Sequence, residues 1–381
     1  MRNLLRIPTR AFSPSRLMLL RKVAQRYRVS PLSIARRIGY LYSRHGFLFQ
    51  ESLQNGLLDP HVSPMAEHGC IAPLRLRAFQ RKVNPLRWIC LTEDKAVFFA
   101  YCKAAGLRVA PYLAIFDPHG GWTTGGETLS GRSQWERFFE GLPNELVTKP
   151  ATGIHGEGLT VYRKKPPASK LYTRLIEEME HPSPHAWDDH FGRMSGRWHS
   201  EIGRIVLQPI LRNHSEIREL TGTEALQTAR IVTWIDESGG VQIYLALFKI
   251  IVGTNLHDNY NYGLSGNLTA NIDLATGALN NVTSASPDKI GFSIVANHPK
   301  TGRPISGFGL PHWGEARELV CQAAQLFWPL RTIGWDVAIT QDGPILMEGN
   351  SFWDEFNHLV VAASPERQKQ LAAVAASFKA R

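Results

Sequence analysis

Apolar positions in residues 1–58 recur at helical spacing. Leu4, Leu5, Leu17, Leu19, Leu20, Val23 and Tyr27 form one run, and Ile34, Ile38, Leu41 and Tyr42 a second. Ser30-Pro31 reads as a helix start, with serine as cap and proline at the first helical position, where its missing N–H is no loss. Residues 59–90 are rich in His, Pro and Arg and show no period. Thr92-Glu93-Asp94-Lys95 can cap a helix, with Lys95 pointing out of its first turn, and that helix is expected to stop at Gly106. Residues 108–116 then read as a strand, 117–126 as a loop and 135–139 as a short helix. Leu146-Val147-Thr148 leads into Lys149 and Pro150, then into Gly153, Gly156 and Gly158, then into Leu159-Thr160-Val161. The pattern is strand, glycine loop, strand, with a lysine where the first strand ends. A helix is expected over 171–179, a polar connector over 181–196 and a buried strand broken by Pro209 over 204–211. Strands follow at 228–236, 241–252 and 268–274, with a turn at Asp273…Gly277. An amphipathic helix at 313–327 precedes two apolar runs around Gln341-Asp342-Gly343, which read as a hairpin, and 365–380 reads as a closing helix.

Charge changes the picture only at one end. Of the 381 residues, 43 are Lys or Arg and 33 Asp or Glu. Residues 1–50 hold no acid, Glu51 being the first, and the remainder is close to neutral. So local a field argues against binding nucleic acid along the whole length. Three readings fit the basic region: the solvated face of a packed helical domain, a surface that docks on anionic membrane, or an organelle transit peptide. The helical pattern runs unbroken through Phe49, which weakens the last. The four cysteines, Cys70, Cys90, Cys102 and Cys321, are scattered, as expected of a cytoplasmic, reducing compartment. No apolar stretch is long enough to span a bilayer, so any membrane contact would be peripheral.

Two stretches carry the candidate chemistry. Around the glycine loop, bare backbone amides can approach a phosphate. In the hairpin, centring on Asp342 sets Asp336 opposite Glu348 and leaves Asn350 on the same face as Glu348. Two carboxylates and an amide oxygen make a hard-oxygen site suited to Mg²⁺. A lysine, a glycine flap and a Mg²⁺ site together suggest ATP. Lys149 and Lys95 are the candidate phosphate ligands. Arg230 sits mid-strand among Ile231, Val232 and Ile235, and a buried guanidinium needs an anion, either a phosphate or a structural acid. Lys249 follows the same logic. Asp258 and Asn259 would hold substrate, orient Arg230, or only shape a loop. His155 at the flap tip is expected to face water. His181, His185, His190 and His199 invite a zinc reading, but their spacing spans prolines with no cysteine near.

The order of these pieces resembles the ATP-grasp superfamily, and within it the sugar-transfer-associated ATP-grasp family. The matching residues are Asp94-Lys95, the Thr148-Lys149-Pro150 flap with its glycines, and Leu207-Gln208-Pro209-Ile210. They continue through Ala229-Arg230-Ile231, Asp258-Asn259, Asp273…Gly277 and His298-Pro299 to Gly334-Trp335-Asp336 and Glu348-Gly349-Asn350. The resemblance implies an α+β, ATP-grasp fold of two lobes around a nucleotide cleft, with an N-terminal basic helical region. The expected units are 1–90 (basic and helical), 91–145 (a pre-grasp segment), 146–210 (the flap lobe) and 211–381 (the lobe with the Mg²⁺ site). It implies that Lys95, Lys149, Gly153, Gly156, Gly158, Gln208 and Ile210 bind nucleotide, that Arg230, Lys249 and Asn259 act in catalysis, and that Asp336, Glu348 and Asn350 bind metal. Where the family usually has an acid in the inter-lobe strand, this chain has Leu207-Gln208. The implied activity is an ATP- and Mg²⁺-dependent ligase that joins a small-molecule carboxylate to an amine or similar nucleophile through an acyl phosphate, in a glycan setting. A phosphotransferase acting on a sugar or alcohol, or a non-catalytic module bound to a membrane or complex, are the alternatives. The sequence leaves the oligomeric state open.

Overall fold

The computed structural model describes residues 14–152, 158–180 and 204–379. Gly153, His155 and Gly156 of the flap, the 181–196 connector and its histidines lie outside the described residues. The fold is α+β, as expected.

The N-terminal third is a layer of short helices: α1 (Pro14–Arg26), α2 (Pro31–Tyr40), α3 (Phe49–Gln54), α4 (Pro64–Gly69), α5 (Pro73–Val83) and α6 (Cys90–Glu93). Ser30 caps α2 as its spacing predicts, its Oγ accepting from the Ser33 N–H at 3.1 Å. The unpatterned 59–90 stretch is helical after all. Ser63 caps Pro64 in the same way, and α5 starts on Pro73. Several short helices, each restarted by a proline, never sustain one period, so periodicity could not find them.

Helix α7 (Lys95–Ala104) ends before Gly106 (φ +71°). The chain then enters a six-stranded antiparallel sheet, β3-β2-β1-β6-β4-β5. Its strands are β1 (Ala114–Phe116), β2 (Gly121–Thr123), β3 (Thr128–Leu129), β4 (Leu146–Pro150), β5 (Thr160–Tyr162) and β6 (Ile205–Pro209). Helices α8 (Arg132–Glu140) and α9 (Ala168–Glu180) cover it over Trp135, Phe139, Leu171 and Leu175. The strand expected over 108–116 is paired in this sheet only from Ala114, and part of the expected 117–126 loop is β2. A Cβ on Gly121 would lie 2.2 Å from the Ile115 carbonyl oxygen and 2.5 Å from the Trp135 ring, so only glycine lets β2 fold back there. Strands from 91–145 and 146–210 thus share one sheet. The expected pre-grasp unit is not separate: its strands belong to the flap lobe, and α7 packs with the other lobe.

That second lobe is a seven-stranded antiparallel sheet, β11-β10-β9-β8-β7-β12-β13. Its strands are β7 (Thr228–Ile235), β8 (Val241–Ile250), β9 (Leu268–Ile272), β10 (Leu279–Ala285), β11 (Phe292–Ile294), β12 (Thr332–Thr340) and β13 (Gly343–Asn350). Side chains alternate between two environments. Ile231, Phe248, Trp335 and Val337 pack against α7 and α11 (Trp313–Leu326), whereas Val232, Trp234, Leu245 and Leu247 pack under the N-terminal helices. Helices α10 (Ser215–Thr221), α12 (Asn357–Ala362) and α13 (Pro365–Lys379) complete the described fold. Transit-peptide behaviour does not suit α1 and α2, since Val23, Ala24 and Ile34 are buried in the same core as the large sheet. Among the described residues no helix is long and apolar enough to cross a membrane.

Candidate functional site

The site forms where the large sheet emerges from under the helical layer. Arg230 and Lys249 lie on the strand faces that carry Val232 and Leu247, and both are buried. The ladder sets Asp336 directly opposite Arg230 on one side and opposite Glu348 on the other. One row of charge therefore crosses β13, β12 and β7.

The Asp336–Glu348 pairing arises differently from the sequence expectation. Thr340 pairs with Gly343, so the turn holds Gln341 and Asp342, and a regular ladder would set Asp336 opposite Met347. A bulge between Asp336 and Val337 shifts the register by one residue. Glu348 then pairs with Asp336, while both Met347 and Glu348 line the cleft.

Asp336 is not an open carboxylate. Arg230 donates to it through Nε (2.6 Å to Oδ1) and Nη2 (3.1 Å to Oδ2), and Lys249 Nζ lies 3.2 Å from Oδ2. Burial would raise the Asp336 carboxyl, but Arg230 and Lys249 outweigh it and hold it well below the ordinary range. Asp336 is thus a structural acid that satisfies Arg230. Lys249 also meets Asp258 at 3.2 Å, and Asp258 in turn accepts from the Thr228 N–H (2.8 Å) and hydroxyl (2.6 Å). Asp258 therefore orients Lys249, not Arg230. Burial alone would lower the Lys249 pKa, yet Asp258 and Asp336 raise it.

Lys149 faces this row from β4 of the other sheet, and Lys95 from the first turn of α7. Asp94 caps α7 through Oδ1, which accepts from the Ala96 and Val97 N–H groups (2.8 and 3.2 Å). The Lys95 N–H donates to the Ala151 carbonyl at 2.8 Å, pinning the helix start to the root of the flap. Lys95 is buried, not solvated as its helix-start position suggests, and its Nζ is 3.7 Å from Glu348. Lys149 is half-buried on β4. Among the described residues its ammonium has no hydrogen bond or ion pair, and its contact is the Phe99 ring at 5.4 Å. Burial and the neighbouring Lys95 depress its pKa to about 8, against the pull of Glu348 and Asp336. Lys95, Lys149, Lys249, Asp258, Asn259, Asp336 and Glu348 all line one cleft of about 790 Å³.

Beside it, and sharing Lys149, Leu159, Leu226, Leu256 and Met347, lies a more apolar recess of about 750 Å³. Val147, Gln208 and Ile210 complete much of its wall. The Gln208 amide is turned to the Pro111 carbonyl, donating at 3.0 Å. Gly158 (φ +68°) packs against Pro150 at the flap root, where a Cβ would come within 2.7 Å of the ring. Asn350 shares the Glu348 face, but its Nδ2 donates to the Gly334 carbonyl at 3.3 Å and it does not line the cleft. The expected metal set is thus split: Glu348 is partly open, Asp336 is closed by two cations, and Asn350 stands apart. Sequence reading missed Thr228, Leu226, Leu256 and Met347. Thr228 carried a signal as the polar residue two before Arg230, and so on its face; Leu226 and Leu256 carried none, since apolar residues in a loop have no pattern to place them.

The lining fits a nucleotide: an apolar recess for a base, opening onto cations for phosphates. An ammonium with no ion pair among the described residues is the feature an anion would satisfy at this junction. Among the described residues no group of three or more His, Cys, Asp or Glu is placed to hold a metal. Mg²⁺ commonly makes do with one or two carboxylates plus substrate phosphates, and Glu348, the partly open acid of the cleft, fits that role.

No curated protein matches the chain. Among solved structures it is similar to N5-carboxyaminoimidazole ribonucleotide synthetase from Thermotoga maritima (11% identity over 74% of this chain and 49% of that one, TM-score 0.36). Biotin carboxylase from Campylobacter jejuni gives 13%, 75%, 46% and 0.39. D-Alanine-D-alanine ligase from Helicobacter pylori gives 10%, 74%, 61% and 0.37. The chain spans about half the length of the first two. Residues 74–364, well over half of the chain, match the sequence model of a family described as sugar-transfer associated ATP-grasp. The chain belongs to that family and has the ATP-grasp fold.

Proposed function

We propose that the protein is an ATP-dependent ligase that activates a substrate carboxylate as an acyl phosphate. The observation that carries the reading is Lys149, an ammonium with no anion among the described residues, set between an apolar recess and a row of charge. A base in the recess would place phosphates against Lys149 and Lys95. Glu348, with Asp336 behind it, would hold Mg²⁺, which would neutralise charge on the phosphates.

The site suits a carboxylate better than an alcohol. A sugar hydroxyl would need a base to remove its proton. Asp258 and Asp336 are each committed to a cation at 3.2 Å or less, and Glu348 is the metal candidate. A carboxylate needs no base, because it is already an anion. Its oxygen would attack the γ-phosphorus as the bond to the β-phosphate oxygen breaks, releasing ADP. An amine nitrogen would then attack the acyl carbon, phosphate would leave, and the nitrogen would lose its proton. Asn259, on the cleft wall, would meet the substrate. Charge and position do the work, with no protein nucleophile.

The test is incubation with ATP, Mg²⁺, a panel of small carboxylic acids and hydroxylamine as surrogate amine. ADP, free phosphate and a hydroxamate are expected, each dependent on the acid. AMP as product, or phosphate retained on a sugar, would overturn the reading.

A further inference from the structure

Helices α1 and α2 pack on each other and on the body through one face each. Val23 and Ala24 of α1 and Ile34 of α2 join the core beneath the large sheet. Their outer faces are of a different character. On α1, Leu17, Met18, Arg21 and Lys22 are exposed; on α2, Leu32, Arg36 and Tyr40 are exposed. The turn after α2 adds Tyr42 and Arg44. Met18 is 66%, Leu32 59% and Tyr42 62% exposed, so folding leaves large apolar groups in water among cations.

Most of the cations have no ion pair among the described residues. Arg26 is engaged by Asp288 and Arg37 by Glu67. Among the described residues Arg21, Lys22, Arg28, Arg36 and Arg44 have no ion pair, and residues 1–50 contain no acid to provide one. An ordinary solvated surface intersperses both signs. This one combines single-sign charge with exposed leucine, methionine and tyrosine, the composition of a helix face that lies in a membrane interface.

We propose that the outer faces of α1 and α2 dock on an anionic lipid bilayer. Leu17, Met18, Leu32 and Tyr40 enter the boundary between headgroups and acyl chains, and Arg21, Lys22, Arg36 and Arg44 meet lipid phosphates. The apolar members select lipid over nucleic acid. A phosphodiester backbone offers the cations the same partner but gives Leu17, Met18 and Leu32 nothing to bury against. The catalytic cleft lies on other elements, so docking would hold the enzyme at a membrane without occupying its site.

The experiment is cosedimentation of the full chain with phosphatidylglycerol-rich vesicles and with pure phosphatidylcholine vesicles. Binding is expected only to the first and should weaken with salt. Neutralising Arg21→Gln, Lys22→Gln and Arg36→Gln should lower partitioning by about fivefold per residue. Neutralising Arg137→Gln, Lys164→Gln and Lys170→Gln in the flap lobe, an equal charge change, should leave it unaltered. Met18→Ser with Leu32→Ser should also weaken binding at unchanged charge. Native thermal unfolding of each variant confirms that it folds. Equal loss from both charge sets, no effect of the serine pair, preference for a nucleic-acid polyanion, or no vesicle binding would each overturn the proposal.

Discussion

At Lys149 the protein keeps a cation that its own described residues do not neutralise, and two expectations follow. Lys149→Met should weaken binding of a non-hydrolysable ATP analogue by about 10- to 100-fold, the loss of a charge-assisted hydrogen bond. The same change should leave the ligand-free protein as stable or more so, because it removes a poorly solvated charge; calorimetry reads both. The pH dependence has a definite sign. A lysine whose folded pKa is near 8, below its unfolded 10.5, makes the unfolded state bind more protons between those values. Its unfavourable contribution is complete below about pH 8 and fades as pH rises towards 10.5. Nucleotide phosphates should reverse the depression, so binding near pH 8.5 should take up protons and binding at pH 6 should not. Titrations in buffers of different ionisation enthalpy would show this, and no uptake at the higher pH would contradict the placement of phosphate at Lys149. Arg230 and Asp336 call for a double-mutant cycle. Arg230→Ala leaves Asp336 buried with Lys249 alone and should cost about 3–5 kcal/mol in urea unfolding. Adding Asp336→Ala should recover more than about 1 kcal/mol of that loss. The sequence showed that Arg230 needs an anion, but not which one, because the choice depends on the register of β7 against β12.

Elements set where these side chains stand. Helix α7 begins at Asp94, whose carboxylate caps two N–H groups, and that start is tied to Ala151 and Thr152 at the flap root. Asp94→Ala should destabilise the protein by about 1 kcal/mol in denaturant unfolding. It should also weaken nucleotide binding, since Lys95 would lose its fixed origin; unchanged affinity would show that the cap serves folding alone. The cap, the proline start of α2 and the Asp273 turn were legible in sequence because each is fixed by residues within a few positions of one another. In the last, Asp273 Oδ1 accepts from the Ala275 and Thr276 N–H groups and Gly277 takes φ +78°. The bulge at Met347 was not legible. Nothing in Leu346-Met347-Glu348 distinguishes it from a regular alternation, and the pair it creates was reached by placing the turn one half-step off.

Across the whole molecule, the cleft is made of parts that meet only when two sheets face each other. Lys149 belongs to the six-stranded sheet and Glu348 to the seven-stranded one, yet both line one cavity. A nucleotide bound there should therefore slow amide exchange in β4 and β5 and in β12 and β13 together. Protection confined to one sheet would mean that the ligand sits elsewhere. The division of the chain shows the same dependence. A linear reading cut it at residue 145, whereas β1 pairs with β6 across about ninety intervening residues.

The sequence by itself determined the chemical inventory. It held a flap lysine, a buried-strand arginine, acids on a hairpin, a basic N-terminus and the local signals that start and stop helices, and these sufficed to point to the family. The tertiary structure decided the pairings: Arg230 and Lys249 on Asp336, Asp258 on Lys249, Lys95 near Glu348, and Lys149 with no ion pair among the described residues. The reason is that a charge's neighbours are set by strand register and by how two lobes face each other. Those depend on contacts between residues far apart in the chain, which no local pattern encodes.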